Sequence, residues 1–194
     1  MTMLSSSRHS HLRYVQQAIC NPTRSSFLTG RRPDATKVWD LHTQFRLSGG
    51  NFTTLPQYFN EQGYWTSGMG KVFHPIPYKG QTDDVAGGSW SAPYFHAHGL
   101  GSNMSMCWTE NPGSDAEFQD MILTAHAVEV LRNASAARAA ADGGVPFFVA
   151  VGLHRPHLPW DVPARGSLIA VSRRSGRRRG PTESGAVLHR PRVR

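Results

Sequence analysis

The stretch VPFFVAVG, residues 145–152, is a continuous apolar run bounded by proline and glycine. A strand with one wet face alternates apolar and polar side chains. A run with no polar position instead suits a strand covered on both faces, the usual state of strands in a parallel sheet. Such a strand needs parallel neighbours and helices over both faces. The rest of the chain supplies the matching pattern. YWTSGMG, 64–70, reads as a second short strand. TTLPQYFNEQG before it reads as a helix: Thr53 or Thr54 caps it, Leu55, Tyr58 and Phe59 share a face, and Gly63 ends it. A short helix is expected from just after Cys20 to Thr29-Gly30, because a first turn tolerates Pro22. The longest helix is expected to start at Ser114, where Ser-Asp-Ala-Glu is a capping box. It continues through Phe118, Met121, Ile122, Ala125, Val128 and Leu131 and ends before Gly143-Gly144. Strands alternating with helices predict an α/β sandwich around a largely parallel sheet.

At 194 residues the chain is long enough for one domain with a real core. Its formal charge of +8 suggests a nucleic-acid partner until it is divided along the sequence. Residues 1–165 carry 13 Lys and Arg against 12 Asp and Glu, whereas residues 166–194 carry 8 Arg against Glu183 alone. That segment has no aromatic residue and no long apolar period, so it reads as a disordered Arg-rich tail, 165–194. The alternative is a basic arm for nucleic acid. At the other end, residues 1–12 read as an N-terminal extension without the apolar core of a signal peptide. No apolar run is long enough to span a membrane, and as written the chain reads as soluble.

Cys20 and Cys107 are the only cysteines, which excludes a disulfide framework and a CxxC zinc pair. Cys20 opens CNPTRSSFLTG, residues 20–30, and stands at the start of the expected short helix. A thiol at a helix N-terminus beside Arg24 is a candidate nucleophile. A cysteine-phosphatase loop would need arginine at position 26, which is serine, and the surroundings of a papain-like protease are absent. A buried structural cysteine is the other reading. HRPH at 154–157 could present paired metal ligands, although further ligands are not evident. Asp83-Asp84 reads as a solvated turn.

The constellation Cys20, Pro22, Arg24, Thr29, Gly30 resembles the signature of the sulfatase family. Five fixed positions would arise by chance in a chain this long with a probability on the order of 1 in 10,000. Thr23 stands where the family usually has serine. GYWTSGMGKVFHP resembles the family's second segment, with Lys71 and His74 matching its active-site lysine and histidine. FFVAVGLHRPHLPW resembles the third, with His154 in the substrate-facing position. The resemblance covers residues 13–164. It implies a partial alkaline-phosphatase-like three-layer sandwich carrying part of an N-terminal catalytic domain.

The resemblance implies further chemistry. Cys20 would be oxidised by a formylglycine-generating enzyme, and the hydrate of the resulting aldehyde would be the nucleophile. The chain would then be a sulfuric ester hydrolase acting on a sulfated sugar, such as a glycosaminoglycan, or on another sulfate ester. Cys20, Arg24, Lys71, His74 and His154 would be the catalytic residues, with no membrane partner and nucleic acid only as a distant third reading. Family members are lysosomal, secreted or periplasmic. They hold a calcium ion, to which residue 20 as formylglycine is one ligand. The family's other calcium ligands, an Asp-Asp pair upstream and an Asp-His or Asp-Asn pair with a lysine downstream, are not found here, and the chain looks truncated at both ends. Two readings therefore stand side by side, an active sulfatase and a non-catalytic fragment lacking its calcium ligands. A nucleic-acid binder built on the tail is the third.

Overall fold

The computed structural model describes residues 14–100, 108–140 and 143–164. The expectations for the N-terminal extension, the Arg-rich tail and Cys107 lie outside these residues. In chain order the elements are α1 (Cys20–Thr29), α2 (Pro33–Thr36), α3 (Phe45–Ser48), α4 (Leu55–Glu61), β1 (Trp65–Gly70), β2 (Trp108–Asn111), α5 (Gln119–Ala140), β3 (Phe147–Gly152) and β4 (Trp160–Pro163).

The apolar run at 145–152 forms β3, and its partner is the predicted strand β1. The two are parallel and in simple register, from Trp65 opposite Phe147 to Gly70 opposite Gly152. Consecutive residues of a strand point to opposite faces, so Phe148 and Val149 mark the two sides of the pair. On one side Phe59 of α4 stacks on Phe148 with ring centroids 4.7 Å apart. On the other, Val149 packs against a buried cluster of Met69, Ala97, Leu123 and Ala127, the last two from α5. Helix, sheet, helix is thus the layer order, and the fold is α/β with parallel pairing. A second parallel pair joins β2 to β4.

Local chemistry sets the helix ends. α1 ends at Gly30, whose φ of 65° is left-handed and whose N–H returns to the Ser26 carbonyl. α4 carries the capping box between Thr54 and Gln57, followed by Pro56 in its first turn.

Three expectations about the helices and strands need correction. The Ser114–Glu117 capping box forms, but it caps a single 3-10 turn at Asp115–Glu117. Phe118 then leaves the helical region with ψ of 140°, and the long helix begins only at Gln119. Phe118 is buried at that break, and its burial outweighs continuity of the helix. The buried stripe of α5 is also rotated from the predicted one. Leu123 and Ala127 are inside, whereas Met121, Val128 and Leu131 are exposed. Finally, β3 is half-buried, with Val151 exposed, because among the described residues β1 is its only strand neighbour.

Asp83-Asp84 is likewise no solvated turn. Both residues are buried and both have positive φ, 55° and 60°. The Asp84 carboxylate takes a two-pronged pair from Arg46, Nε to Oδ1 at 2.6 Å and Nη2 to Oδ2 at 2.8 Å. Ser89 also donates to it. The remaining Arg46 hydrogens go to Asn51, Gln57 and the Phe52 carbonyl, so this buried guanidinium is fully hydrogen-bonded. Among the described residues no helix is long and apolar enough to cross a membrane.

Candidate active site

A parallel sheet presents its ligand-binding crevice beyond the carboxyl ends of its strands. Lys71 follows the last residue of β1, and His154 lies two residues beyond the end of β3. The ladder runs on past the end of β1, since the Lys71 N–H donates to the carbonyl of Gly152, the last residue of β3, at 2.7 Å. A Cβ on Gly152 would come within 2.2 Å of the Lys71 carbonyl carbon. Only glycine lets the two strand exits come this close, and that closeness brings two catalytic candidates from distant parts of the sequence onto one cavity wall.

Cys20 is the first residue of α1, half-buried, with a free thiol. No side chain caps this helix and its first turn holds no acidic residue, so its N-terminal amides keep their positive field. Arg24, one turn on, ties α1 to the exit of β1. Its Nη1 donates to the carbonyls of Lys71 and Val72, the latter at 2.8 Å. The next residue after the thiol, Asn21, is buried and donates to the carbonyls of Asp40 and Thr43 at 2.9 and 2.8 Å. That fixes the 40–43 loop, whose Leu41 backbone meets the His74 ring.

Four of the five predicted residues act on one another electrostatically. Burial pushes the Arg24 guanidinium below its ordinary range, opposed by Cys20 and then Tyr94. Burial likewise lowers the Lys71 ammonium, with Cys20 opposing and Arg24 reinforcing the shift. His74 is lowered first by burial and then by the positive charges of Lys71 and Arg24. His154 is lowered by burial, with Lys71 and His157 pushing the same way and the Leu158 carbonyl and Asp120 opposing. Cys20, Arg24, Lys71 and His74 thus form one cationic neighbourhood, joined to His154 through Lys71. Two polar atoms within it are buried and without a partner, the Nε–H donor of Arg24 and Nδ1 of His74, which donates when the ring is protonated. An anion would satisfy such groups.

Lys71 and His154 also line a cavity of about 180 Å³ together with Phe73, Asp83, His96 and Asp120. His96, read from sequence as an ordinary histidine, pairs through Nε2 with Oδ2 of buried Asp83 at 3.0 Å. His157 is exposed, and its ring centroid stands 5.0 Å from that of His154. Sequence reading missed Asp120, Asp83 and Tyr94. The adjacent carboxylates at 83 and 84 were visible, but no pattern marked them as buried. Nothing in the sequence connects Asp120 to His154.

The two lowered histidines give a pH prediction. Unfolded, each takes up a proton near its ordinary value of about 6.5, whereas in the folded chain each does so at lower pH. Between the two values the unfolded state binds more protons. The stability these histidines contribute is therefore complete above the ordinary value and is lost as pH falls through the window. Urea midpoints are expected to drop as pH falls below the ordinary histidine value of about 6.5, with ring resonances of both histidines titrating below the free imidazole. Ring titration at or above the free value would contradict it.

The Sulfatase family profile matches residues 11–168 of this chain. Iduronate 2-sulfatase from Homo sapiens is 38% identical over 169 residues, which cover 77% of this chain and 29% of that protein. The Mus musculus iduronate 2-sulfatase matches to the same extent. A sulfatase from Formosa agariphila is 29% identical over 167 residues, 76% of this chain and 31% of that protein. The chain thus spans less than a third of the length of these relatives. A profile match running from before Cys20 to beyond His154, over a parallel α/β fold that gathers Cys20, Arg24, Lys71 and His74 with His154 beside them, establishes that the chain belongs to the sulfatase family.

Proposed function

We propose that this chain carries the nucleophile-bearing part of a sulfuric ester hydrolase, with a sulfated sugar of the iduronate type as the substrate class. The observation that carries the reading is the cationic neighbourhood around Cys20, with the buried Arg24 Nε–H free to donate and His74 Nδ1 buried without a partner. A sulfate ester is an anion, and an uncapped helix start with an arginine, a lysine and histidines is a site built for one.

Residue 20 fits maturation to formylglycine, since its thiol is free, half-buried and at the helix start. Matured, it supplies an aldehyde hydrate, one hydroxyl of which attacks sulfur while the second later expels sulfate by regenerating the aldehyde. The rest belongs to the chain's own side chains. Arg24 holds the reacting group and balances its charge, its guanidinium already fixed by two carbonyls. Lys71 sits against the ester oxygens. A protonated His154, or His74, donates to the departing alkoxide. Because both histidines titrate below the ordinary range, the protonated donor is populated on the acidic side, and turnover rises toward mildly acidic pH.

The family's calcium does not fit the residues described. Among them no three His, Cys, Asp or Glu side chains come together to hold a metal ion, and the charged side chains around Cys20 are cations. The same observation favours a second reading, a sulfate-binding segment that does not hydrolyse. Co-expression with a formylglycine-generating enzyme separates the two. Mass spectrometry of the Cys20 peptide is expected to show the aldehyde, and the matured chain to turn over an aryl sulfate. A persistent thiol defeats the hydrolase reading. An aldehyde with no turnover leaves the binding segment.

A further inference from the structure

We propose that Asp120 is a positioning residue that fixes the backbone carrying His154, and through it the place of that imidazole on the cavity wall. The role given to His154 rests on the sulfate-ester reading, whereas the clamp itself rests on geometry alone.

Where β3 ends, the following amides leave the ladder and need new acceptors. Asp120 takes two of them, those of His154 and Arg155. The His154 N–H donates to Oδ1 at 2.7 Å and the Arg155 N–H to Oδ2 at 3.1 Å. Two oxygens of one planar carboxylate, each holding an adjacent amide, fix both peptide planes and hence the direction in which the His154 side chain departs. The Arg155 guanidinium closes the clamp, with Nη1 3.6 Å from Oδ2 and its plane over the Phe118 ring at 5.7 Å.

The anchor is itself rigid. Asp120 lies in the first turn of α5, where the helix dipole favours a carboxylate. Leu123, next along the same helix, is 1% exposed in the cluster that packs against Met69 and Val149 of the sheet. Asp120 and His154 then line one cavity with Lys71. The chain from 119 to 154 therefore closes a loop in which α5 is braced on the sheet and its first turn holds the histidine. The charges that face His154 are Lys71, His157 and Asp120, and the last is the one anion among them.

Amide hydrogen exchange and imidazole NMR of the full chain test this with D120A and D120N. In D120A the amides of His154 and Arg155 are expected to exchange about tenfold faster or more, while those of Leu123 and Ala127 keep their protection. Asparagine keeps one acceptor oxygen, so D120N is expected to fall between. With the anion gone, the His154 ring in D120N is expected to titrate at lower pH than in the parent chain. A bystander carboxylate would leave that titration where it was. Unchanged exchange at 154 and 155 overturns the clamp, as does an equal loss of protection throughout α5 and β3. Should D120A fail to fold, D120N alone decides by the same two readouts. Inorganic sulfate tests the reading on which the role rests. Sulfate that shifts the His154 ring of the parent chain and not of D120A supports both. Equal shifts in the two overturn the positioning. If sulfate leaves Cys20, Lys71 and His154 of the parent unmoved while the exchange pattern holds, the sulfate reading falls and the clamp stands.

Discussion

Cys20→Ala is expected to lower sulfate-ester turnover of the matured chain by on the order of 10⁴-fold, because it removes the reacting atom itself. Alanine leaves nothing to oxidise, so no hydrate forms. The helix should be undisturbed, since the thiol is half-buried, makes no disulfide and caps nothing. The surrounding charges also survive: Arg24 keeps its two carbonyls, and Lys71 keeps the β1 to β3 ladder contact. Sulfate affinity is therefore expected to change little while turnover collapses, a split between binding and chemistry readable by titration and steady-state kinetics. Turnover within tenfold of the parent would show that the reacting group lies elsewhere.

Asp84→Ala is expected to cost about 3–5 kcal/mol of folding stability. The side chains of Arg46 and Asp84 are each 1% exposed, so truncating the carboxylate strands a buried guanidinium. The Ser89 hydroxyl loses its carboxylate acceptor at the same time. The damage extends to the site, because the neighbouring Asp83 carbonyl accepts the Trp90 indole at 2.8 Å, and Trp90 packs with Val72 and Phe73, beside His74. Replacing both partners, Arg46→Met with Asp84→Leu, is expected to be milder than the single change, since no uncompensated charge remains. Urea unfolding measures both. A loss below about 1 kcal/mol for Asp84→Ala would mean that the guanidinium finds water, which the burial excludes.

Much of this was readable from local pattern. The β3 run, the β1 segment, the capped α4 and the α1 boundaries follow from apolar periodicity, prolines and glycines acting within a few residues. The candidate residues Cys20, Arg24, Lys71, His74 and His154 came from the resemblance of three local segments to one family, and the structure brings the first four together with His154 beside them. Where local rules competed with burial, burial prevailed: Phe118 broke the expected helix, and α5 turned Leu123 and Ala127 inward.

The sequence by itself therefore determined which reactive side chains are available and which segments are strands or helices, through contacts between near neighbours. Assembly of the site depended on contacts no local pattern carries. Lys71 reaches His154 because Gly152 lets two strand exits touch, and Arg24 reaches across 47 residues to the Lys71 carbonyl. Asp120 takes an amide 34 residues away, and Asp84 is charged and yet buried because Arg46, 38 residues earlier, meets it. Each is a polar group whose partner is fixed by how elements pack. A buried donor or acceptor must find that partner or lose stability, so the fold chose these pairs where sequence spacing could not.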